Sequence, residues 1–271
     1  MIAKFAVLVF CVAAASGNPA AGKPWTWKSP MPKLTPIGPV KSQRIVGGSE
    51  ATAHSFPHQV GLFFSGGWFC GGSLISNQWV LTAAHCTDGA SYVDVVMGAH
   101  DISINEPEQV TVRATNLITH ENYGPITLRN DIGLIQLPSP VAFNANIGSI
   151  SLTSTDPSVG TIVTPSGWGK DSDSAGGITD RLRQVDVPIL SNSDCANTYG
   201  STIYDGIICT SSIGGKGVCS GDSGGPMNWN GVTAGVTSFV ASAGCESGLP
   251  HGFTRVTYFL DWIQANSGLT P

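Results

Sequence analysis

The chain has 271 residues, of which 41% are hydrophobic and only 11% are charged. This balance excludes an intrinsically disordered chain, because disordered segments combine low hydrophobicity with high charge. The formal net charge is −5 at pH 7, which argues against a nucleic-acid partner, because phosphate binding requires a positive surface.

The first 17 residues have the pattern of a secretory signal peptide. Lys4 precedes an apolar run from Phe5 to Ala15, and small residues follow up to Gly17, as a signal peptidase requires. A helix that spans a bilayer needs about 20 apolar residues, and no later stretch reaches that length. We therefore predict a signal peptide at residues 1–17 and a secreted, extracellular protein with no membrane partner.

Residues 18–44 form a separate segment with six prolines, five basic residues and no acidic residue. This composition favours an extended chain over a packed core. The segment ends at Arg44, directly before the sequence IVGG, where strand-like alternation begins. All 18 acidic residues but only 7 of the 13 basic ones follow Arg44, so residues 45–271 carry a net charge of −11. The segment is either a simple linker or a propeptide that is removed by cleavage after Arg44.

From residue 45 onward, short apolar runs alternate with turn residues. Many short strands at this spacing are typical of an all-β sandwich or barrel. One helix is expected near the C-terminus, because apolar residues recur at three- and four-residue steps from Val256 to Ile263, and Gly268 follows as a stop signal. The length suits one large barrel or two halves of about 110 residues each, divided near residue 155.

The cysteines predict a disulfide framework. Of seven cysteines, Cys11 lies in the signal peptide, which leaves an even number. Exported chains keep disulfides and the sequence has no CxxC pair, so three disulfides are favoured over a zinc site. Which of the 15 possible pairings forms stays open. The six are Cys70, Cys86, Cys195, Cys209, Cys219 and Cys245.

Four separated motifs appear in one order: IVGG at 45–48, LTAAHC at 81–86, NDIGLIQL at 130–137 and GDSGGP at 221–226. Together they resemble the chymotrypsin-like serine proteases. The stretches GGSLIS, LRQVDVP and FTRVTYFLDWIQ are most similar to the crustacean and insect digestive chymotrypsins and the brachyurin collagenases. The resemblance covers almost all of residues 45–271. It implies an all-β fold of two six-stranded antiparallel β-barrels, roughly residues 45–155 and 156–271, with a C-terminal α-helix.

The resemblance assigns a catalytic triad of His85, Asp131 and Ser223. A serine hydroxyl is a poor nucleophile at neutral pH, so an imidazole must take its proton while a carboxylate fixes the tautomer of the imidazole. The backbone amides of Gly221 and Ser223 would form the oxyanion hole. Each residue also has a structural interpretation: a tight glycine turn for Ser223, a structural histidine for His85 and a strand-start acid for Asp131. Four further histidines stand in loop-like or strand-end contexts and are interpreted as structural or solvent-facing: His54, His58, His100 and His120.

The resemblance also implies that the protein is made as a zymogen. Cleavage after Arg44 would free the α-amino group of Ile45, which would pair with Asp222 and order the pocket and the oxyanion hole. The structural interpretation is that Ile45 is an ordinary core strand residue. Because Arg44 is basic, the activating partner is expected to be a trypsin-like protease.

Five residues are assigned to the primary pocket by the same resemblance. Gly217 would form its floor, where enzymes specific for Lys or Arg carry Asp, so trypsin-like specificity is not expected. Ser238, Phe239 and Val240 would lie on the strand that pairs with the substrate backbone. Val240 stands where chymotrypsin-like enzymes have glycine, so it should favour Ala, Val or Leu over Phe and Tyr at P1, the residue before the cut. His251 would either add bulk to the pocket or accommodate an acidic side chain.

The resulting hypothesis is a secreted, digestive serine endopeptidase that acts as a monomer and needs no metal or other cofactor. Its partners would be protein and peptide substrates, the activating protease and protein protease inhibitors. A weak calcium site in the loop from Ala99 to Gln109, with Glu106 and Glu108, is less favoured. Four further hypotheses stay open: a preference for large P1 side chains, broad collagenolytic specificity, a regulatory immune or clotting protease, and a binding module that has lost catalysis.

Overall fold

The computed structural model describes residues 46–270. The proposed signal peptide, the segment from 18 to 44 and Ile45 lie outside the described residues. Short strands dominate the described chain. In order they are β1 (Ser49–Glu50), β2 (Gln59–Phe64), β3 (Phe69–Leu74), β4 (Trp79–Thr82), β5 (Val93–Met97), β6 (Val110–Ala114), β7 (Asn116–Thr119), β8 (Gly133–Gln136), β9 (Ser151–Leu152), β10 (Ile162–Gly167), β11 (Arg183–Gln184), β12 (Val187–Leu190), β13 (Ile207–Thr210), β14 (Pro226–Trp229), β15 (Val232–Phe239) and β16 (His251–Arg255).

The first sheet is antiparallel and has the strand order β6-β5-β2-β3-β4-β8-β7. Only Thr115 separates β6 from β7, so one stretch of chain pairs with β5 at one end and with β8 at the other. This closes the sheet into a barrel-like unit. Its interior is filled by buried branched side chains, as strand alternation requires, among them Val60, Leu62, Val95 and Leu134.

The second sheet has the order β1-β11-β10-β12-β13-β16-β15-β14, and β14 also pairs with β10. That extra pairing closes its longer strands into a ring around a core that includes Val187, Ile208, Met227 and Phe253. β1 comes first in the chain but pairs with β11 of this sheet. The residues that follow the proposed cleavage point are therefore anchored to the second barrel.

The prediction of an all-β fold with two antiparallel barrels and a C-terminal helix is confirmed. The sheets contain seven and nine strands instead of six each. The break at Thr115 divides one strand of the first sheet into two. In the second sheet, three two-residue strands, β1, β9 and β11, add to six longer ones.

In the part of the chain that the structure describes, three α-helices connect or follow the strands: α1 (Ala84–Thr87), α2 (Asn192–Tyr199) and α3 (Leu260–Ser267). The predicted C-terminal helix is α3, preceded by a 3₁₀ turn at Val256–Phe259, and Gly268 ends it with φ of 73°. Its apolar face packs against the core of the first barrel. Helix α2 was not predicted from the sequence, although Ser191 caps it by accepting a hydrogen bond from the Asp194 amide at 3.0 Å.

The three predicted disulfides are present, and the structure selects one pairing: Cys70 with Cys86, Cys195 with Cys209, and Cys219 with Cys245. The first bridge ties β3 to α1. The third ties Cys219, two residues before the GDSGGP motif, to the loop before β16. Between residues 46 and 270, none of the helices is long and apolar enough to cross a bilayer.

Candidate active site

The carboxylate of Asp131 lies fully buried between the two barrels, directly before β8. One oxygen accepts a hydrogen bond from the His85 amide at 2.9 Å. The other accepts from His85 Nδ1 at 2.8 Å and from Ser238 Oγ at 2.5 Å. A buried carboxylate needs such donors to offset its loss of hydration. The two barrels therefore share this residue, because His85 follows β4 and Ser238 belongs to β15.

The ring of His85 is oriented by this carboxylate. Because Nδ1 donates to Asp131, the neutral ring keeps Nε2 free of a proton and able to accept one. Burial of the ring disfavours its charged form, but the charge of Asp131 and its hydrogen bond outweigh burial and raise the pKa of His85. The arrangement is that of a general base whose charged form is stabilised.

Ser223 lies in a glycine-rich turn, which we call the nucleophile loop, residues 219–225. The Ser223 carbonyl accepts a hydrogen bond from the Gly71 amide at 2.8 Å. A Cβ atom at Gly224 would overlap Thr82 Oγ1 and lie 3.1 Å from the Ala83 amide nitrogen. Only glycine permits this approach. It brings Gly224, the residue after Ser223, against Thr82 and Ala83, which shortly precede His85.

Two amides of the nucleophile loop stay outside its network of backbone hydrogen bonds among the described residues. The amides of Asp222, Gly224 and Gly225 donate to carbonyls of the loop or of β15. Over residues 46–270, those of Gly221 and Ser223 donate to no backbone carbonyl. Gly221 has φ of 99°, which favours glycine. These two free donors are the groups that the oxyanion-hole prediction requires.

Asp222 belongs to the nucleophile loop and is completely buried. Its carboxylate accepts hydrogen bonds from the amides of Gly169, at 2.7 Å, and Cys219, at 2.8 Å. Burial raises the pKa of Asp222 to about 6, even though these two amides favour the charged form. Val46, the first described residue, is buried nearby and accepts a hydrogen bond from the Gly217 amide at 3.0 Å.

The predicted pocket residues divide into two groups. Gly217 and His251 meet, since a Cβ at Gly217 would overlap Nδ1 of the His251 ring. Val240 is partly buried and packs against the Cys219–Cys245 bridge. In the second group, the Phe239 ring packs edge-on against Tyr199, and the Ser238 hydroxyl donates its hydrogen bond to Asp131.

His251 is completely buried, and neither ring nitrogen has a hydrogen-bond partner among the described residues. Burial lowers its pKa to about 4, although the backbone of Cys245 and the charge of Asp173 oppose the shift. The ring is therefore neutral at pH 7. A neutral ring fits the interpretation of His251 as bulk better than the interpretation of a cation for acidic side chains.

Several residues that support Asp131 were not predicted from the sequence. Besides the side chain of Ser238, Thr254 on β16 donates through Oγ1 to the Asp131 carbonyl at 2.6 Å. Tyr204 accepts through its hydroxyl from the amide of Asn130 at 2.9 Å. These partners lie more than 70 positions from Asp131 or Asn130 in sequence, and no local pattern marks them.

The remaining histidines and the acidic loop take structural parts. His58 binds Asn228 at 2.7 Å, and His120 stacks on Trp262. The Glu106 carboxylate accepts from the amides of His100 and Asp101, so it closes its own loop. Among the described residues, the two groupings with metal-like spacing each contain a disulfide-bonded cysteine pair, which offers no thiolate.

Comparisons with known proteins show which family the chain resembles. The family model described as Trypsin matches residues 45–263. Brachyurin from Leptuca pugilator is 60% identical over 227 residues, which cover 84% of this chain and all of the relative. Serine protease 1 from Drosophila melanogaster is 44% identical, over 88% of this chain and 91% of the relative.

A solved structure, HL collagenase at 1.7 Å resolution, is 37% identical and superimposes with a TM-score of 0.75. The match covers 83% of this chain and 99% of the collagenase chain. The shared fold, the matched family model and the extent of identity lead to one conclusion. The chain belongs to the trypsin family of serine proteases.

Proposed function

We propose that the protein is a secreted digestive serine endopeptidase in which Ser223 is the nucleophile, His85 the general base and Asp131 the group that orients His85. The observation that carries the proposal is the pair of hydrogen bonds from His85 to the buried Asp131 carboxylate, at 2.9 and 2.8 Å. The close approach of Gly224 to Ala83 supports it, because Gly224 follows Ser223 in the chain and Ala83 lies two residues before His85.

In the proposed reaction, Ser223 Oγ attacks the carbonyl carbon of the peptide bond while His85 Nε2 takes the hydroxyl proton. The negative oxygen of the tetrahedral intermediate is bound by the amides of Gly221 and Ser223. His85 then gives the proton to the leaving amine, the C–N bond breaks, and an acyl-enzyme remains on Ser223. Water hydrolyses this ester by the same sequence of proton transfers.

We further propose that residues 1–17 are a signal peptide and that cleavage after Arg44 by a trypsin-like protease activates the enzyme. The freed amine of Ile45 would then pair with Asp222. Two observations support this: Asp222 is buried with a raised pKa, and Val46 lies against the Gly217 amide close to the same loop. A charge brought to Asp222 would stabilise its ionised form.

For specificity, we propose small or medium apolar P1 side chains such as Ala, Val or Leu. Gly217 provides no carboxylate for a basic side chain, and the buried His251 ring occupies the space beside it. Val240 adds bulk on the neighbouring strand end. Large aromatic rings would have to displace one of these groups.

Serine-directed covalent labelling tests the function. A phosphonylating reagent is expected to label Ser223 only after cleavage at Arg44, and the Ser223→Ala variant should stay unlabelled. Mass spectrometry of the labelled peptide identifies the site. A cleaved protein that takes up no label would support a binding module without catalysis.

The role of His251 in the pocket gives a separate prediction. Replacing His251 by Gly should raise the ratio of kcat/KM for P1 Phe over P1 Leu at least about tenfold, because a pocket that gains room for several heavy atoms gains that order of discrimination. Matched peptides that differ only at P1 provide the measurement. His54→Gly is the control, since the His54 ring contacts His100, which is not among the assigned pocket residues, and its φ of 58° suits glycine. An unchanged ratio would contradict the assignment of His251 to the pocket.

A second candidate substrate is native collagen. It is favoured by the 60% identity with a brachyurin and by the likeness to a structure named collagenase. Incubating the cleaved enzyme with triple-helical collagen and with heat-denatured collagen separates the two cases. Cleavage of the denatured form alone would restrict the enzyme to unfolded peptide substrates.

A further inference from the structure

Two loops of the second barrel flank the nucleophile loop. The first, residues 168–182 between β10 and β11, contacts it directly. The Lys170 amide donates to the Ser220 carbonyl at 2.8 Å. Ile178 packs on Gly221, where a Cβ would lie 2.6 Å from Ile178 Cγ2. This loop therefore borders one of the two proposed oxyanion donors.

The second loop, residues 240–250, connects β15 to β16 and so joins two residues assigned to the proposed P1 pocket. It begins at Val240 and leads directly into His251, which meets Gly217. Within residues 46–270, one disulfide, from Cys245 to Cys219, ties this loop covalently to the nucleophile loop. A single tether of this kind leaves the position of the rest of the loop to its noncovalent contacts.

Asp173 joins the two loops by reciprocal hydrogen bonds. Its carboxylate accepts from the amides of Cys245, at 2.7 Å, and Glu246, at 3.1 Å. In return, the Asp173 amide donates to the Glu246 carboxylate at 2.8 Å. We call this group the Asp173–Glu246 clasp. Hydrogen bonds from amides to a carboxylate are stronger than neutral ones.

Gly244 is required for the clasp. Its φ is 109°, and a Cβ there would overlap the Asp173 carboxylate. A residue with a side chain would both strain the backbone and push the carboxylate away from the amides. Substituting either the carboxylate or the glycine should therefore break the same contact, by two independent routes.

The clasp completes a closed ring of contacts. The 168–182 loop donates a hydrogen bond to Asp222 of the nucleophile loop. The nucleophile loop is joined to the 240–250 loop by the disulfide between Cys219 and Cys245. The Cys245 amide in turn donates to Asp173, which lies in the 168–182 loop. Asp173 and Glu246 are both exposed, so these bonds bury little apolar surface and contribute little to the core. Their effect is instead to fix the position of the 240–250 loop relative to the proposed oxyanion donors.

We propose that Asp173 is a positioning residue that sets P1 recognition by holding the 240–250 loop in place. This inference rests on the proposed function, because it concerns the pocket of that same enzyme. It assigns no contact between Asp173 and the substrate. Loss of the clasp should loosen the pocket while the bonds that hold His85 and Asp131 are untouched.

The test uses the full chain cleaved after Arg44, with the variants Asp173→Asn and Gly244→Ala and the control Asp180→Asn from the same loop. For a peptide with P1 Leu, kcat/KM is expected to fall about tenfold in both variants, mainly through KM, since a lost charge-assisted hydrogen bond has that order of effect. For P1 Ala, which reaches less of the pocket, the fall should be about threefold or less. Inactivation by a small phosphonylating reagent without a P1 group should change less than about twofold, because that reagent does not use the pocket.

Equal losses with both peptides and with the small reagent would show a general loss of structure and overturn the proposal, as would unchanged kinetics in Asp173→Asn. Disagreement between Asp173→Asn and Gly244→Ala in the Leu-to-Ala ratio would also overturn it. If the cleaved parent protein takes up no reagent, the proposed function itself fails, which is distinguishable from a failure confined to the variants.

Discussion

Replacing Asp131 by Asn is expected to lower kcat about 10⁴-fold with little change in the fold. The carboxylate now accepts hydrogen bonds from the His85 amide, His85 Nδ1 and Ser238 Oγ. An Asn amide would present its NH₂ group to one of these donors. The imidazole would then favour the tautomer with the proton on Nε2, which cannot take the proton of Ser223. Steady-state kinetics with an apolar P1 peptide measures the loss.

The pH profile provides a second readout of the same variant. In the parent enzyme, Asp131 raises the pKa of His85 above its ordinary value of 6.5, so activity should rise with pH through a pKa above 6.5. In Asp131→Asn the opposing charge is gone and burial lowers the pKa, so the acid limb of the residual activity should move to lower pH.

Asp180→Asn is the matched control, because Asp180 is exposed and, among the described residues, its hydrogen bond is through the backbone carbonyl, to the Ile102 amide. Both kcat and the pH profile should match those of the parent. Activity of Asp131→Asn within about tenfold of the parent, where a drop of about 10⁴ is expected, would contradict the role given to Asp131. An acid limb that moves upward would contradict it as well.

Cleavage after Arg44 is expected to raise the melting temperature of a Ser223→Ala proenzyme at pH 7. In the uncleaved chain the pKa of Asp222 is about 6, above its ordinary 3.8. Because folding raises the pKa of the Asp222 carboxyl, protonation of Asp222 stabilises the folded state. This stabilisation is fully present below about pH 4 and is lost as the pH rises from there through 6. At pH 7 this loss is about 3 kcal/mol. A protonated amine at Ile45 would offset it, which corresponds to about 6–12 °C for a domain of this size.

The control is the same measurement with Asp222→Asn in the Ser223→Ala background. Asn has no charge to pair with the new amine, so cleavage should leave its melting temperature nearly unchanged. In the active background, Asp222→Asn should reduce activity after cleavage about 10²- to 10³-fold, since removing one partner of a buried ion pair costs about 3–5 kcal/mol. An equal gain on cleavage with and without Asp222 would contradict pairing with Ile45.

Several features of the fold could be predicted from local sequence. The C-terminal helix follows from apolar residues at helical spacing and from Gly268, which the structure shows as its left-handed cap. The short α2 was missed because it is amphipathic over only eight residues, too few for a clear period. Its cap, Ser191, was the local signal that could have revealed it.

Other features required the tertiary structure. The sequence left 15 disulfide pairings open, and only the folded chain brings Cys219 to Cys245. Ser238 was assigned to the substrate strand through its backbone, and only the folded chain shows that its hydroxyl also binds Asp131, 107 positions away. The clasp between Asp173 and Glu246 spans 73 positions. No periodicity or spacing rule connects residues so distant.

By itself, the sequence determined the family, the all-β class with a C-terminal helix, the number of disulfides and the residue types needed for serine protease chemistry. These depend on local patterns and short motifs, which can be recognised from the order of residues alone. The tertiary structure alone decided which cysteines pair, that His251 is buried against Gly217, and which side chains hold Asp131 and the 240–250 loop. Burial and hydrogen bonding are properties of neighbours in space, and here those neighbours come from strands and loops far apart along the chain.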